Sequence, residues 1–182
     1  NNPYHERDWI FPHHIDVMLD LADKLCEEKG GNKAVCKPAI ILHDTGLVYK
    51  RTKESPEGHE TRSVEYADTL LSEKQVNEEL KQEILACVEA TEPKITPTTL
   101  NQEIVRTCDA LAKFKSIHFL AKAHFYRTWD YYTKWLEEKI HKDYEKIAFE
   151  ERQEEIQHIY DHLRNALSLF KEKEAQQPKH KL

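Results

Sequence analysis

The sequence predicts an all-α protein, because helical periodicity recurs along the chain and strand patterns do not. Apolar residues repeat at three- and four-residue spacing in most segments. No run of alternating β-branched residues lies between turn pairs. All four glycines and six of the seven prolines fall before residue 98, so nothing in residues 98–177 forces a helix to break. We therefore expect a helical bundle followed by additional long C-terminal helices.

Proline and glycine divide the first part of the chain into five predicted helices. Pro12 precedes the first of them and Gly30-Gly31 ends it. The five helices cover residues 13–29, 34–43, 59–71, 76–90 and 101–114, with a charged loop over 47–58.

Two or three long helices are expected beyond residue 115. One is rich in aromatic residues over 119–135, and the last is strongly charged over 144–173. A polar tail follows after about residue 171.

The composition excludes several classes of function. The 182 residues carry a net charge of −6 without a basic block, which disfavours a stable nucleic-acid partner but permits a small phosphorylated substrate. The four glycines cannot build a GxGxxG or P-loop phosphate cradle. No apolar run approaches the ~20 residues of a membrane span. We expect a cytoplasmic protein with no membrane partner.

The four cysteines are Cys26, Cys36, Cys87 and Cys108. They form no CxxC pair and lie in apolar helical segments, so buried thiols are expected rather than a disulfide or a zinc knuckle.

The pair His43-Asp44 is the first candidate for chemistry. It follows an apolar run over residues 39–42 and precedes Thr45-Gly46. A frayed helix end lets two neighbours converge on one point, which a regular helix prevents. Imidazole and carboxylate together suit Zn, Fe or Mn. The alternative is a helix C-cap, with His43 favourably placed at the negative end of the helix.

Four phrases of the sequence together resemble the HD-domain phosphohydrolase superfamily, an all-helical fold with the motif H…HD…D. The phrases are HHIDVMLDLADKL, AIILHDTG, GHETRSVEYADTLL and IVRTCDALAKF. They occur in the order of the family and span residues 10–115. The resemblance implies an HD-domain metal-binding helical core over residues 1–115. It leaves residues 116–182 as a C-terminal helical extension packed on the same domain.

The resemblance implies that His14, His43, Asp44 and Asp109 bind one divalent metal ion. Mn, Fe, Zn, Co, Ni and Mg are the candidates for this ion. Two imidazoles and two carboxylates leave positions open for water and a phosphate oxygen.

His14 is preferred over its neighbour His13 as the first ligand. Counting from His14 places Ala22 at the small +8 position of the family pattern. His13 remains the reserve.

Further roles are expected around the metal ion. By the resemblance, Asp44 orients the nucleophile or takes its proton, and His59 contacts the substrate phosphate or the metal-bound water. The alternative for His59 is a neighbour of a helix N-cap. Lys50 and Arg51 follow the HD pair closely, so they are candidates for a phosphate contact or belong to a solvated loop. Glu60 offers an acid or a base.

The sequence departs from the family pattern at two positions. Thr91 stands where dinuclear members often carry a histidine, which favours a single metal ion. Thr107 stands two positions before Asp109, where an acidic residue is frequent, so the groups that orient the metal ligands differ.

The resemblance implies a metal-dependent phosphohydrolase acting on a small phosphorylated compound, with nucleotides among the candidates. The alternative is a non-catalytic HD module that binds metal and nucleotide for regulation. The long C-terminal helices are typical of partner or dimer surfaces, so a homodimer remains open.

Overall fold

The structure is a computed structural model that describes residues 10–48, 58–123 and 128–176. All regular structure in these residues is helical, which confirms the predicted all-α class. The helices are α1 (Asp16–Lys29), α2 (Lys33–Leu42), α3 (His59–Glu73), α4 (Glu78–Glu89), α5 (Leu100–Phe114), α6 (His118–Ala123), α7 (Trp129–Glu145) and α8 (Glu150–Gln176). A wide π-type turn, Phe11–Ile15, leads into α1, and a 3-10 turn, Thr45–Leu47, follows α2. Over these ranges, no helix combines the length and apolar character that crossing a membrane requires.

Helix α5 is the central helix of the bundle. It packs against α1, α2, α4, α6, α7 and α8, and most of its residues are buried. Its first turn is closed by a capping box, in which Thr99 and Gln102 each accept a backbone N–H from the other residue. A side chain on α5 can therefore meet groups from both the N-terminal and the C-terminal parts of the chain.

The first two helices are delimited by local signals that the sequence carries. Gly30 adopts a left-handed conformation at the C-terminus of α1, and its N–H donates to the Cys26 carbonyl. Asn32 caps α2 by accepting the N–H of Ala34. Both helices then pack on α5.

The predicted helix over residues 119–135 is wrong, because α6 and α7 are separate helices. At Thr128 the backbone is extended, with φ −132° and ψ 153°. Its side chain accepts the N–H of Tyr131 and so starts α7 with an N-cap. A threonine cap can begin a new helix where neither proline nor glycine marks the boundary.

The predicted start of the last helix, at residue 144, is also wrong. Helix α7 continues through Glu145, and α8 begins only at Glu150. Between them Ile147 is buried in the core, and the Ala148 N–H donates to the Thr107 hydroxyl of α5. This break depends on tertiary contacts, which helical periodicity does not reveal.

The core contains all four cysteines as buried, free thiols. They lie on α1, α2, α4 and α5, which agrees with the prediction of buried thiols.

Candidate metal centre

His14 enters the site from the π-type turn before α1. Its side chain is buried, whereas that of the neighbouring His13 is exposed. Turns of this wide type are frequent at functional sites, since the extra residue redirects a side chain. The structure therefore places His14, and not His13, inside the bundle.

His43 lies at the C-terminal end of α2, where the helix gives way to the 3-10 turn. Its Nδ1 is 2.7 Å from the Ile40 carbonyl oxygen, which can accept only an N–H. In the neutral ring, which is the form that binds a metal ion, the proton therefore resides on Nδ1 and the lone pair is on Nε2. Metal-binding histidines are oriented by hydrogen bonds of this kind.

Asp109 of α5 faces both histidines. Its Oδ1 lies 3.3 Å from His14 Nε2 and 3.7 Å from His43 Nε2. One ligand atom from each of these three buried residues lies within 4.8 Å of the others. The structure thus brings together residues from the N-terminal turn, from α2 and from α5.

The donor set fits a divalent metal ion. In the described part of the chain, neither ring nitrogen of His14 has a hydrogen-bond partner, and the same is true of His43 Nε2. Buried polar atoms without partners are costly, so their convergence indicates a group that would bind them. Ligand atoms about 2.1 Å from one ion lie roughly 3.0–3.4 Å apart. The distances from Asp109 Oδ1 to the two histidine Nε2 atoms, 3.3 and 3.7 Å, are close to this range. Two imidazoles and a carboxylate suit Zn, Fe, Mn or Co.

Asp44 lies beside this trio rather than within it. Its Oδ2 is 3.6 Å from His43 Nε2, and its Oδ1 is 3.5 Å from His59 Nε2. Asp44 is partly exposed, so it lies between the buried trio and the solvent side of the site.

His59 begins α3 and has carboxylates close to both of its ring nitrogens. Besides Asp44 at Nε2, Glu60 Oε2 lies 3.1 Å from Nδ1. The two carboxylates set the orientation of the ring.

The start of α3 is fixed against the turn that follows the HD pair. The Gly46 N–H donates to the Ser63 hydroxyl, and Arg62 Nε donates to the Gly46 carbonyl. A Cβ at Gly46 would stand 1.9 Å from the His59 carbonyl oxygen, so this close approach requires glycine.

The two carboxyl groups are ionised at neutral pH. Burial alone would raise the pKa of Asp44, but His43 and His59 hold it well below its usual range. Burial alone would also raise the pKa of Asp109. The charges of Lys113 and Lys146 outweigh the effect of burial and hold that pKa low.

The pKa values of the two histidines of the trio are shifted in opposite directions. Burial lowers the pKa of His14, and Asp109 offsets this only in part. Burial also acts to lower the pKa of His43, but Asp44 and Asp109 outweigh it and the pKa is raised.

Four buried residues around the trio are not among the site residues that the sequence predicts. The ring of His118 packs 5.4 Å from that of His14, centroid to centroid. Lys113, Asp143 and Lys146 are buried close to Asp109. The four-residue spacing of Lys113 from Asp109 could have revealed one of them. Asp143 and Lys146 come from the end of α7, and no local pattern connects them with Asp109.

The two departures from the family pattern are both buried threonines bonded to backbone. The Thr91 hydroxyl donates to the Val88 carbonyl, and the Thr91 carbonyl accepts from Lys146 Nζ. Thr107 accepts from the backbone of the α7–α8 connection. Lys50 and Arg51, the expected phosphate contacts, lie outside the described residues.

Comparison with known proteins identifies the family. The HD domain family model matches residues 13–113, so the chain belongs to the HD domain family, as the resemblance predicted. Among solved structures, an HD-superfamily hydrolase from Bacillus thuringiensis is similar, with a TM-score of 0.59 and 18% identity over 94% of this chain and 88% of that chain. At this identity the likeness shows the fold alone. No curated protein sequence matches significantly.

Proposed function

We propose that this chain is a metal-dependent phosphohydrolase that acts on a small phosphorylated compound, with nucleotides among the candidate substrates. The proposal is supported chiefly by the convergence of the buried ring nitrogens of His14 and His43 on the Asp109 carboxylate, in a member of the HD domain family. When bound, a divalent cation supplies a Lewis acid that acidifies a water molecule and offsets charge on phosphoryl oxygens.

Asp44 is the proposed fourth ligand and the group that orients the attacking water. Its carboxylate is held ionised by the neighbouring His43 and His59, so it can accept a proton or a hydrogen bond from the nucleophile. Its partial exposure leaves it within reach of a substrate entering from solvent.

His59 is the proposed contact to the substrate phosphate. Glu60 fixes the ring through Nδ1, and the opposite nitrogen, Nε2, faces the site beside Asp44. A positioned N–H donor there stabilises the charge that develops on a phosphoryl oxygen. Lys50 and Arg51 are proposed as additional phosphate contacts.

The test is phosphate release from a panel of substrates with added Mn²⁺ or Co²⁺. The panel contains phosphate monoesters and nucleoside mono-, di- and triphosphates, and Asp44→Ala is the control variant. We expect metal-dependent release from at least one class, and none from Asp44→Ala. Release that is equal in the variant, or absent from every class, would contradict the proposal. Nucleotide binding without release would instead favour the regulatory module.

A further inference from the structure

Asp109 presents its two oxygens to different partners. Oδ1 faces the nitrogens of His14 and His43. Oδ2 lies 2.7 Å from Lys113 Nζ and 3.5 Å from Lys146 Nζ. One oxygen of this carboxylate is therefore directed to the candidate metal position, and the other is occupied by ammonium groups.

The two ammonium groups are held in turn by Asp143 near the C-terminus of α7. Its Oδ1 lies 3.4 Å from Lys113 Nζ and 3.9 Å from Lys146 Nζ. Lys146 also donates to the Thr91 carbonyl at 2.9 Å. The lysines thus have fixed positions, with partners on α4's C-terminal turn, α5 and α7.

Such a cluster needs an explanation because buried charges are expensive. Asp143 is fully buried, and Asp109, Lys113 and Lys146 are each no more than 7% exposed. Replacing a buried ion network by apolar residues is often neutral or stabilising, so stability alone is a weak reason for it. Within the network, the charge of Asp109 is balanced by lysine before any metal ion binds.

We propose that Lys113 and Lys146 are positioning residues that hold Asp109 as a one-oxygen ligand of the metal ion. Because Oδ2 is engaged by two ammonium groups, only Oδ1 is available to the ion, and the carboxylate can neither rotate nor bridge to a second ion. Groups behind the ligands commonly set ligand orientation in this way.

Residues at the end of α7 contribute to the surroundings of the site. Asp143 and Lys146 lie beyond residues 13–113, the range that the HD domain family model matches. The site would then include residues from the C-terminal extension, although every proposed ligand lies before it.

The inference rests on the metal centre proposed above and is tested by the visible absorption of bound Co²⁺. The position and intensity of this absorption report the number and geometry of the ligands. The test variant is Lys113→Met, which removes the closest ammonium from Oδ2 and keeps an unbranched side chain that is only one atom shorter. The matched control is Lys139→Met, because Lys139 contacts Asp143 at 2.7 Å but is not among the partners of Asp109.

We expect wild-type protein and Lys139→Met to share one Co²⁺ spectrum and Lys113→Met to show a shifted band at equal cobalt content. Lys146→Met gives the same test if circular dichroism shows that Lys113→Met does not fold. An unchanged spectrum in the variant, or an equal shift in the control, would overturn the inference alone. Wild-type protein that binds no Co²⁺ would overturn the metal centre as well.

Discussion

At the scale of single residues, hydrogen bonds decide which atoms can act. His43 donates Nδ1–H to the Ile40 carbonyl, so only Nε2 is available to a ligand. Asp109 gives Oδ2 to lysine and keeps Oδ1 for the histidines. The proposed ligand atoms are thus selected by their neighbours before a metal ion arrives.

His59→Ala is expected to keep bound metal and to lose turnover. Its Nε2 lies beside Asp44 but outside the buried trio, so its proposed contact is with the phosphate. Loss of one positioned donor typically costs ~10²–10³ in kcat. KM should change much less, because the charge that this donor stabilises develops mainly in the transition state. Steady-state kinetics and metal analysis of this variant test the prediction.

Two results would contradict this role of His59. Loss of the metal from the variant would make His59 a ligand, and the site would be larger than proposed. Unchanged turnover would move the phosphate contact elsewhere, with Lys50 and Arg51 as the next candidates.

At the scale of elements, the site depends on how closely the turn after α2 approaches α3. Ser63 bridges the two by accepting the Gly46 N–H and donating to the His59 carbonyl. The turn that carries Asp44 and the helix start that carries His59 are therefore fixed relative to each other.

Gly46→Ala is expected to lower both stability and turnover. The added Cβ would meet backbone atoms, with the His59 carbonyl oxygen at 1.9 Å and the Ser63 nitrogen at 2.7 Å. Backbone cannot move aside as a side chain can, so we expect a loss of ~3 kcal/mol or more in the free energy of unfolding. Denaturant unfolding and kinetics well below the Tm measure the two effects.

Gly31→Ala is the matched control for that variant. Its Cβ would lie 2.3 Å from Ile104 Cδ1 and 3.2 Å from Cys26 Sγ. Both are side-chain atoms, which can shift more easily than the backbone atoms that a Cβ at Gly46 would meet. The control should lose less stability and retain turnover once folded. Equal loss of turnover in both variants would show that the approach of the turn to α3 has no special role.

At the scale of the whole molecule, the helical core and most of the candidate site could be predicted from the sequence. Periodicity and caps locate α1 to α5, because their signals are local. His14, His43 and Asp109 could be named because flanking residues match a family pattern. His118, Asp143 and Lys146 could not, since they reach the site through packing of α6 and α7 that leaves no local pattern. The position of the break between α7 and α8 could not be predicted for the same reason.

Because all four cysteines are buried in the core, we expect none of their thiols to react in the folded protein. Burial raises the pKa of Cys87 to about 12 and raises the pKa values of Cys26, Cys36 and Cys108. A thiolate is needed for alkylation, and an unperturbed cysteine has a pKa of about 8.5. Iodoacetamide at pH 8 should therefore modify none of the four in folded protein and all four after unfolding, as counted by mass spectrometry.

The same shifts give a direction for stability against pH. Burial raises the pKa of each thiol in the folded state, so the thiols of the unfolded chain ionise first as the pH rises. The stabilisation from the buried neutral thiols is therefore complete below about pH 8.5, and the free energy of unfolding decreases above that pH. Rapid modification of any cysteine in folded protein would contradict the packing described here.

His14, His43, Asp44 and Asp109 are the four proposed ligands of one divalent metal ion. The most direct measurement is metal content per chain after loading with Mn²⁺ or Co²⁺ and dialysis, for wild-type protein, His14→Ala and His13→Ala. We predict about one ion in wild-type protein and in His13→Ala, and almost none in His14→Ala. Metal lost from His13→Ala but kept by His14→Ala, or two ions in the wild-type protein, would contradict this single-ion site.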